Sequence, residues 1–477
     1  NTSTVNYNGT GAQVVSAYNY NNLTISENRT TNNITLVAGG VIGVANVFDP
    51  TASFTTGNYV ITNNTINFNG TGAQTIPAFN YNNLTISGGR TTNSVTLANT
   101  GIIGVASTFT SSATFTSGGY VTTGSTIDYN GAAQNVAGFI YNNLTLSISG
   151  TKTMLAAITV NGNLSINGSA NLYTNTFQVT GNATGSFTME SGTGLTLGNT
   201  GNGTNVLFPS NFTSGNISLD VNSTVTYQSN GAQTVSNTPA YGNLIIATNG
   251  TTKTCNGDLT INGNLSVNGS STFSMGTTAS TWNILGNTTI DGALNFGTAT
   301  AKNISISGDL INATGTINMS GAGLAHNLYL GGAANAISTF TTTAGSGSTV
   351  TYNRNGDHTV FGSLNYRNLT FSGSGNKTLQ ATSTINNTLT LNSGVVQIGS
   401  YNLTIADNTS NAILGSYSGT SMVETNGTGY VIRNANATLP ILFPIGSEGV
   451  YAPISISATN PTDRKSTRLN SSHESPS

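Results

Sequence analysis

Charge is what this chain lacks most. Only 5% of its 477 residues are Asp, Glu, Lys or Arg, about a fifth of the usual share for a soluble domain. With a net charge of −2, it offers no electrostatic footprint for nucleic acid or an anionic membrane. No apolar run approaches the roughly 18 to 20 residues needed to span a bilayer. A single cysteine, Cys255, excludes an internal disulfide framework. It has no neighbouring His or basic cluster to activate it, so it reads as a small buried hydrophobe. Proline is scarce at 9 residues, and no helical period or capping box runs through the text. What is abundant is Gly, with 58 residues, beside Asn, Thr, Ser and small apolar types. Hydrophobic residues still make up 36% and fall with period 2, so there is a core to bury and the chain is expected to fold.

Internal repetition carries the fold assignment. A module opens with Thr4-Val5-Asn6-Tyr7-Asn8-Gly9 and recurs as Thr65-Ile66-Asn67-Phe68-Asn69-Gly70 and Thr126-Ile127-Asp128-Tyr129-Asn130-Gly131. Looser copies begin at Thr224 and Thr349. Each is followed by Gln13, Gln74, Gln134, Gln233 or, in the last copy, His358. A second signal follows, Tyr20-Asn21-Asn22-Leu23-Thr24-Ile25, with counterparts from Tyr81, Tyr141, Tyr241 and Tyr366. In both signals apolar and polar residues alternate, with β-branched and aromatic residues on one face, which specifies strands. Asn-Gly steps supply the positive φ of tight corners. The class is all-β.

The spacing sets the architecture. Module starts lie 61, 61, 98 and 125 residues apart, near three, three, five and six units of about twenty residues. Tandem globular domains do not grow in such small steps, whereas a solenoid accepts extra coils because each coil touches only its neighbours. Simpler coil-like text fills the longer intervals, as in residues 158–166 and their near copy at 259–267. The spacing therefore predicts a parallel β-helix, a β-solenoid of roughly twenty coils of about 20 residues. Tandem Ig-like β-sandwiches are the alternative.

These repeats resemble the long secreted repeat proteins of gliding and biofilm-forming bacteria, the cargo of type IX secretion. More distantly they are similar to filamentous-haemagglutinin-like adhesins. The resemblance covers residues 1–427 and implies a secreted bacterial surface protein. Residues 428–462, with Gly429-Tyr430-Val431-Ile432-Arg433 and Leu442-Phe443-Pro444-Ile445-Gly446, resemble the start of the β module that follows such repeats. From Asp463 the character changes, and residues 463–477 resemble a translated sequencing adapter, expected to be a disordered tail. That stretch holds three basic and two acidic residues, so without it the net charge is −3. Asn1 falls inside a repeat, and the chain is expected to be a fragment of a longer protein.

Few residues could carry chemistry. Glycoside hydrolysis needs two carboxylates about 5 to 9.5 Å apart, and lyases need a base beside carboxylates. Asp291 and Asp309, 18 residues apart with Lys302 between them, could stack on adjacent coils and form the one catalytic constellation on offer. The plainer reading is two solvated turn residues. His358 follows Asp357 but takes the place of Gln13 and Gln74, which marks a structural position. His326 is isolated, and His473 lies in the adapter-like tail. There is no zinc-ligand cluster and no calcium repeat with Asp in every coil, and no cofactor is expected. Isolated carbonyl-rich calcium sites stay open.

One basic residue per module is more regular. Arg29, Arg90, Lys152, Lys253 and Lys377 follow Leu23, Leu84, Leu144, Leu244 and Leu369 by 6, 6, 8, 9 and 8 residues. They are expected along one outer edge, either as solubilising charges that discourage lateral sheet pairing or as a spaced row of surface contacts. The sequence thus predicts an extracellular structural or adhesive scaffold with a weakly charged Thr, Asn and Ser face, not an enzyme. Glycans or other cell-surface components are the implied partners, and polysaccharide cleavage is the rival. Thr-Phe-Thr at 108–110, 114–116 and 339–341 adds ice or crystal-surface binding as a minor alternative.

Overall fold

The structure, a computed structural model, describes residues 3–247, 250–311, 314–362, 365–434, 440–457 and 467–469. It is all-β, with two single-turn 3₁₀ segments, Ser214–Asn216 and Ser410–Ala412, as the helical pieces among the described residues. Parallel coils stack into a β-solenoid of about 20 turns. Parallel ladders exclude the sandwich alternative, whose sheets are antiparallel. The chain divides into two compact units, residues 1–225 and 226–477.

In the first unit each coil has three sides. Thr4–Tyr7 begins one side, Gln13–Val15 the next and Asn19–Ile25 enters the third before turning back onto the first. Strand pairing then stacks like on like. Val5 lies against Leu23 and Leu23 against Phe48, and Ile127, Leu144, Leu164 and Phe187 form one continuous inward column. Short strands such as Leu164–Ile166 point two residues inward and one outward. Each fully buried Leu, Ile or Phe contributes about 1.5–3 kcal/mol of transfer free energy. The column therefore stabilises the stack coil by coil, with no central nucleus.

The module length counts sides and not whole coils, which corrects the spacing argument. Val41–Pro50 is a ten-residue strand that bends around a corner. Its second half pairs with residues 22–25, its first half with Thr65–Phe68. The second copy therefore starts one side earlier than the first. The same happens at Ile103–Ser111, whose halves pair with residues 83–86 and with Thr126–Tyr129. Three successive copies occupy three different sides. The fourth copy begins at Thr224, whose amide donates to Thr193 O at 2.9 Å, beside Gly194–Leu197 and on a different side from Thr126–Tyr129.

The second unit repeats the scheme. One side runs from Gln233–Val235 through Thr252–Cys255, Thr272–Met275, Ala293–Asn295 and Thr316–Asn318 to Thr339–Thr341. Another runs from Leu259–Ile261 to Ile413–Gly415. Trp282 is fully buried, stacked on Phe273 at 4.4 Å, with its indole N–H donating to Gly257 O. Parallel stacking continues through Val431–Arg433. Beyond it Ile445–Ser447 still pairs parallel with Ser421–Glu424, while Ile441–Phe443 pairs antiparallel with Ile454–Ile456. Of the adapter-like tail only Thr467–Leu469 is described, paired antiparallel with Val431–Arg433. His473 lies outside the described residues.

The recurring tyrosines have a shared task. The hydroxyls of Tyr7 and Tyr20, Tyr129 and Tyr141, Tyr227 and Tyr241, and Tyr352 and Tyr366 bond pairwise at 2.8–3.2 Å. The second member donates on to a corner carbonyl, as Tyr141 does to Ala137 O at 2.8 Å. Large apolar rings can thus be buried at a corner with no hydroxyl left unpaired.

Candidate functional site

The five basic residues expected on an outer edge are instead buried. Arg29, Lys152, Lys253 and Lys377 are 0% exposed and Arg90 is 2% exposed. Their partners are backbone carbonyls of the Asn-Gly corners and the module's Gln. Arg29 donates to Gln13 Oε1 and Ser26 O, each at 2.6 Å, and to Tyr7 O at 3.1 Å. Arg90 reaches Gln74 Oε1 at 2.5 Å and Ser87 O at 2.8 Å. Lys152 Nζ donates to Gly131 O, to Ala132 O at 2.7 Å and to Gln134 Oε1 at 2.9 Å. Lys253 Nζ bonds Ser229 O and Gly231 O, both at 2.6 Å. Lys377 Nζ bonds Ser374 O at 2.6 Å and Arg354 O at 2.9 Å.

The physical reason lies in the corner. A tight Asn-Gly turn between stacked coils leaves carbonyl oxygens facing inward with no N–H opposite them. A cation one coil along fills that need with several charge-assisted bonds. The Gln then donates onward to the preceding coil, Gln74 Nε2 to Val44 O at 2.9 Å and Gln134 Nε2 to Val105 O at 2.8 Å.

Burial pushes the amines of Lys152, Lys253 and Lys377 down to about 8. An unfolded lysine titrates near 10.4, so between pH 8 and 10 the unfolded chain binds more protons and stability rises with pH. Cys255, a buried thiol pushed up to about 12 by the same desolvation, acts in the opposite sense, and as pH nears 10 so do the buried tyrosines, whose hydroxyls burial raises while unfolded tyrosine begins to ionise. The melting temperature is therefore expected to climb from pH 8 to pH 9, below the range in which unfolded tyrosine ionises. A fall over that range would show that the lysines keep their protons.

The catalytic constellation comes apart. Coils here advance by 22 to 24 residues, so Thr288 stacks on Leu310 and Asn303 on Asn327. An 18-residue spacing therefore does not stack Asp309 on Asp291. The Asp309 amide instead donates to Asn287 Oδ1 at 2.9 Å. Asp291 follows Thr288–Ile290 at the opposite end of that strand, four residues or about 13 Å from Asn287. Lys302 points into the interior at 1% exposure with its ammonium unpartnered. Asp291 is exposed and Asp309 half-buried, so the base and the carboxylates do not face one groove. Among the described residues, no three His, Cys, Asp or Glu side chains gather into a metal-binding group. His326 is buried against Phe296. The Asp357 carboxylate accepts from the Asn376 amide at 2.7 Å.

Among the described residues, the charge that remains freely exposed is sparse and of one sign. All nine basic residues before position 463 are buried or half-buried, only Arg354 and Arg367 falling in the second class. Glu27, Glu190, Asp258, Asp291, Asp357 and Glu448 are exposed. Outward rows are mixed hydroxyl and amide. One reads Thr65, Asn83, Thr108 and another Thr145, Ser165, Thr188, Ser218. Neighbours in a row bond each other, Thr108 Oγ1 donating to Asn83 Oδ1 at 2.7 Å. Around Thr-Phe-Thr the outward rows read Thr65, Asn83, Thr108 and Asn67, Thr85, Thr110 in the first unit, and Ala293, Thr316, Thr339 and Asn295, Asn318, Thr341 in the second, so no run of Thr there exceeds two coils. The flat Thr array that ice binding calls for does not form there.

The buried cations carry a signal the spacing argument passed over. Lys152, Lys253, Lys302 and Lys377 each stand two residues before a core residue of the same strand, Met154, Cys255, Ile304 and Leu379. Strand parity alone turns them inward. No family model matches the chain, and neither the curated proteins nor the solved structures contain a match.

Proposed function

We propose that this chain is part of an extracellular structural and adhesive scaffold on a bacterial surface, which works by display and not by catalysis. The observation that carries the reading is the sorting of charge. Cations are spent inside on corner carbonyls, while hydroxyl and amide rows cover the outside. A face of that kind suits neutral glycans or other cell-surface components through many weak hydrogen bonds, multiplied by valency. A stack that gains coils without rearrangement suits a stalk. The secreted bacterial address rests on the resemblance of the repeats to type IX cargo and to haemagglutinin-like adhesins.

The test is retention of the full chain on immobilised polysaccharide and on intact cells. Because no basic side chain before position 463 is freely exposed, retention should change less than about twofold between roughly 0.05 and 0.5 M salt. Steep loss with salt would point to charge pairing and overturn the reading. Release of reducing ends from any of the polysaccharides, abolished by Asp291→Asn or Asp309→Asn, would replace it with the enzymatic one.

A further inference from the structure

One side of the first unit is interrupted. Tyr120–Val121 pairs with Val95–Leu97, and on the next coil Ile140–Tyr141 pairs with Ile158–Val160. These belong to two separate three-stranded sheets, so two strand edges face each other without a ladder between them. In front of the break lies a cleft of about 670 Å³, within the range of about 300–1,000 Å³ that takes small ligands. The Tyr120 and Phe139 rings form its floor, edge to face at 4.9 Å. Thr122, Thr123 and Asn161 supply hydroxyls and an amide at the rim. Val121 and Ile140 flank it, 42% and 57% exposed.

We propose that this cleft binds a neutral oligosaccharide, an inference that rests on the adhesive reading above. No lining residue is charged, so neither an anionic nor a cationic ligand would find a counter-charge. A neutral sugar presents apolar C–H faces and hydroxyls together, which is what aromatic rings beneath a hydroxyl and amide rim accommodate. Unpaired strand edges add backbone donors and acceptors. An inserted peptide strand fits less well. It would use the strand edges but gives no role to the hydroxyl and amide rim beside the aromatic floor. The aromatic seam itself recurs one copy earlier, with Tyr59 and Phe79 at 5.0 Å. There Asn80 takes the place of Ile140 and Ile61 that of Thr122, so this mixed rim belongs to the third copy.

The experiment is affinity electrophoresis of the full chain through gels containing a β-1,4-glucan, a β-1,3-glucan, starch, a galactomannan or anionic alginate. At least one neutral polymer should retard the protein while alginate does not. Ile140→Asp, at an exposed position that leaves the core intact, should weaken that retardation about tenfold or more by placing a charge in the site. Leu207→Asp, at another exposed position of the unit, should leave it unchanged. The cleft proposal is overturned by equal retardation of Ile140→Asp and wild type. It is also overturned if extended peptides and no sugar bind in an Ile140-dependent way. Those outcomes spare the scaffold reading if the chain still adheres to cells. Loss of all retention, on polysaccharide and on cells alike, overturns both.

Discussion

Replacing His358 with Gln is expected to stabilise the second unit and to flatten its response to acid. The residue stacks on Lys377 as Gln134 stacks on Lys152 and Gln233 on Lys253. In the copies of the first unit the Gln carbonyl accepts from the cation at 2.5–2.9 Å. His358 is 4% exposed, and neither ring nitrogen has a hydrogen-bond partner. A buried unpaired polar group costs about 1–3 kcal/mol, and Gln recovers it. Burial, together with the Lys377 and Arg354 charges, pushes the imidazole down to about 3.

Because that folded value lies below the unfolded 6.5, the unfolded chain binds more protons between the two. Stability is therefore lost as pH falls through this window, about 2 kcal/mol by pH 5. The checks are hydrogen exchange at the amides of residues 358–360 and 377–379, at pH 7 and pH 5, in both proteins. Local measurement suits a stack whose coils open without global unfolding. Equal pH slopes in the two proteins would remove His358 as the sensor.

The second large effect is expected from the corner cation. Lys152→Ala takes donors from Gly131 O, Ala132 O and Gln134 Oε1 together. Gln134 Oε1 keeps the Gly131 amide, but leaving the two carbonyls buried without the cation should cost about 3 kcal/mol. Lys152→Met fills the same space and should be nearly as damaging, because volume is not what the corner requires. Lys152→Arg should be mild, since Arg29 and Arg90 already do this work in the first two copies. Chemical denaturation of the three variants separates the accounts. If Met matches wild type and Arg does not, packing holds the corner and the carbonyl explanation fails.

The class and the scale of the repeat were legible in the sequence because both follow from local rules. Alternation of Val, Asn and Tyr or of Leu, Thr and Ile has a strand period whatever surrounds it. Asn-Gly corners limit how long a side can run. Strand parity even pointed the lysines inward, two residues before Met154, Cys255 and Leu379. The strong general tendency of Lys to stay exposed argues the other way, and only the stacked corner carbonyls reverse it.

The charge shortage with which the sequence opens therefore means something different once the chain is folded. The sequence by itself determined a β-repeat with a scattered dozen cations and a hydroxyl-rich face. Only the tertiary structure decided where each coil falls on its neighbour. That register depends on corner lengths, which run from 17 residues per coil at Ile127 and Leu144 to 30 at Phe187 and Ile217. Such differences separate Asp291 from Asp309, rotate successive copies around three sides and break the ladder beside Tyr120. None of these is a property of any single segment. Each arises from how much chain lies between two strands that must hydrogen bond.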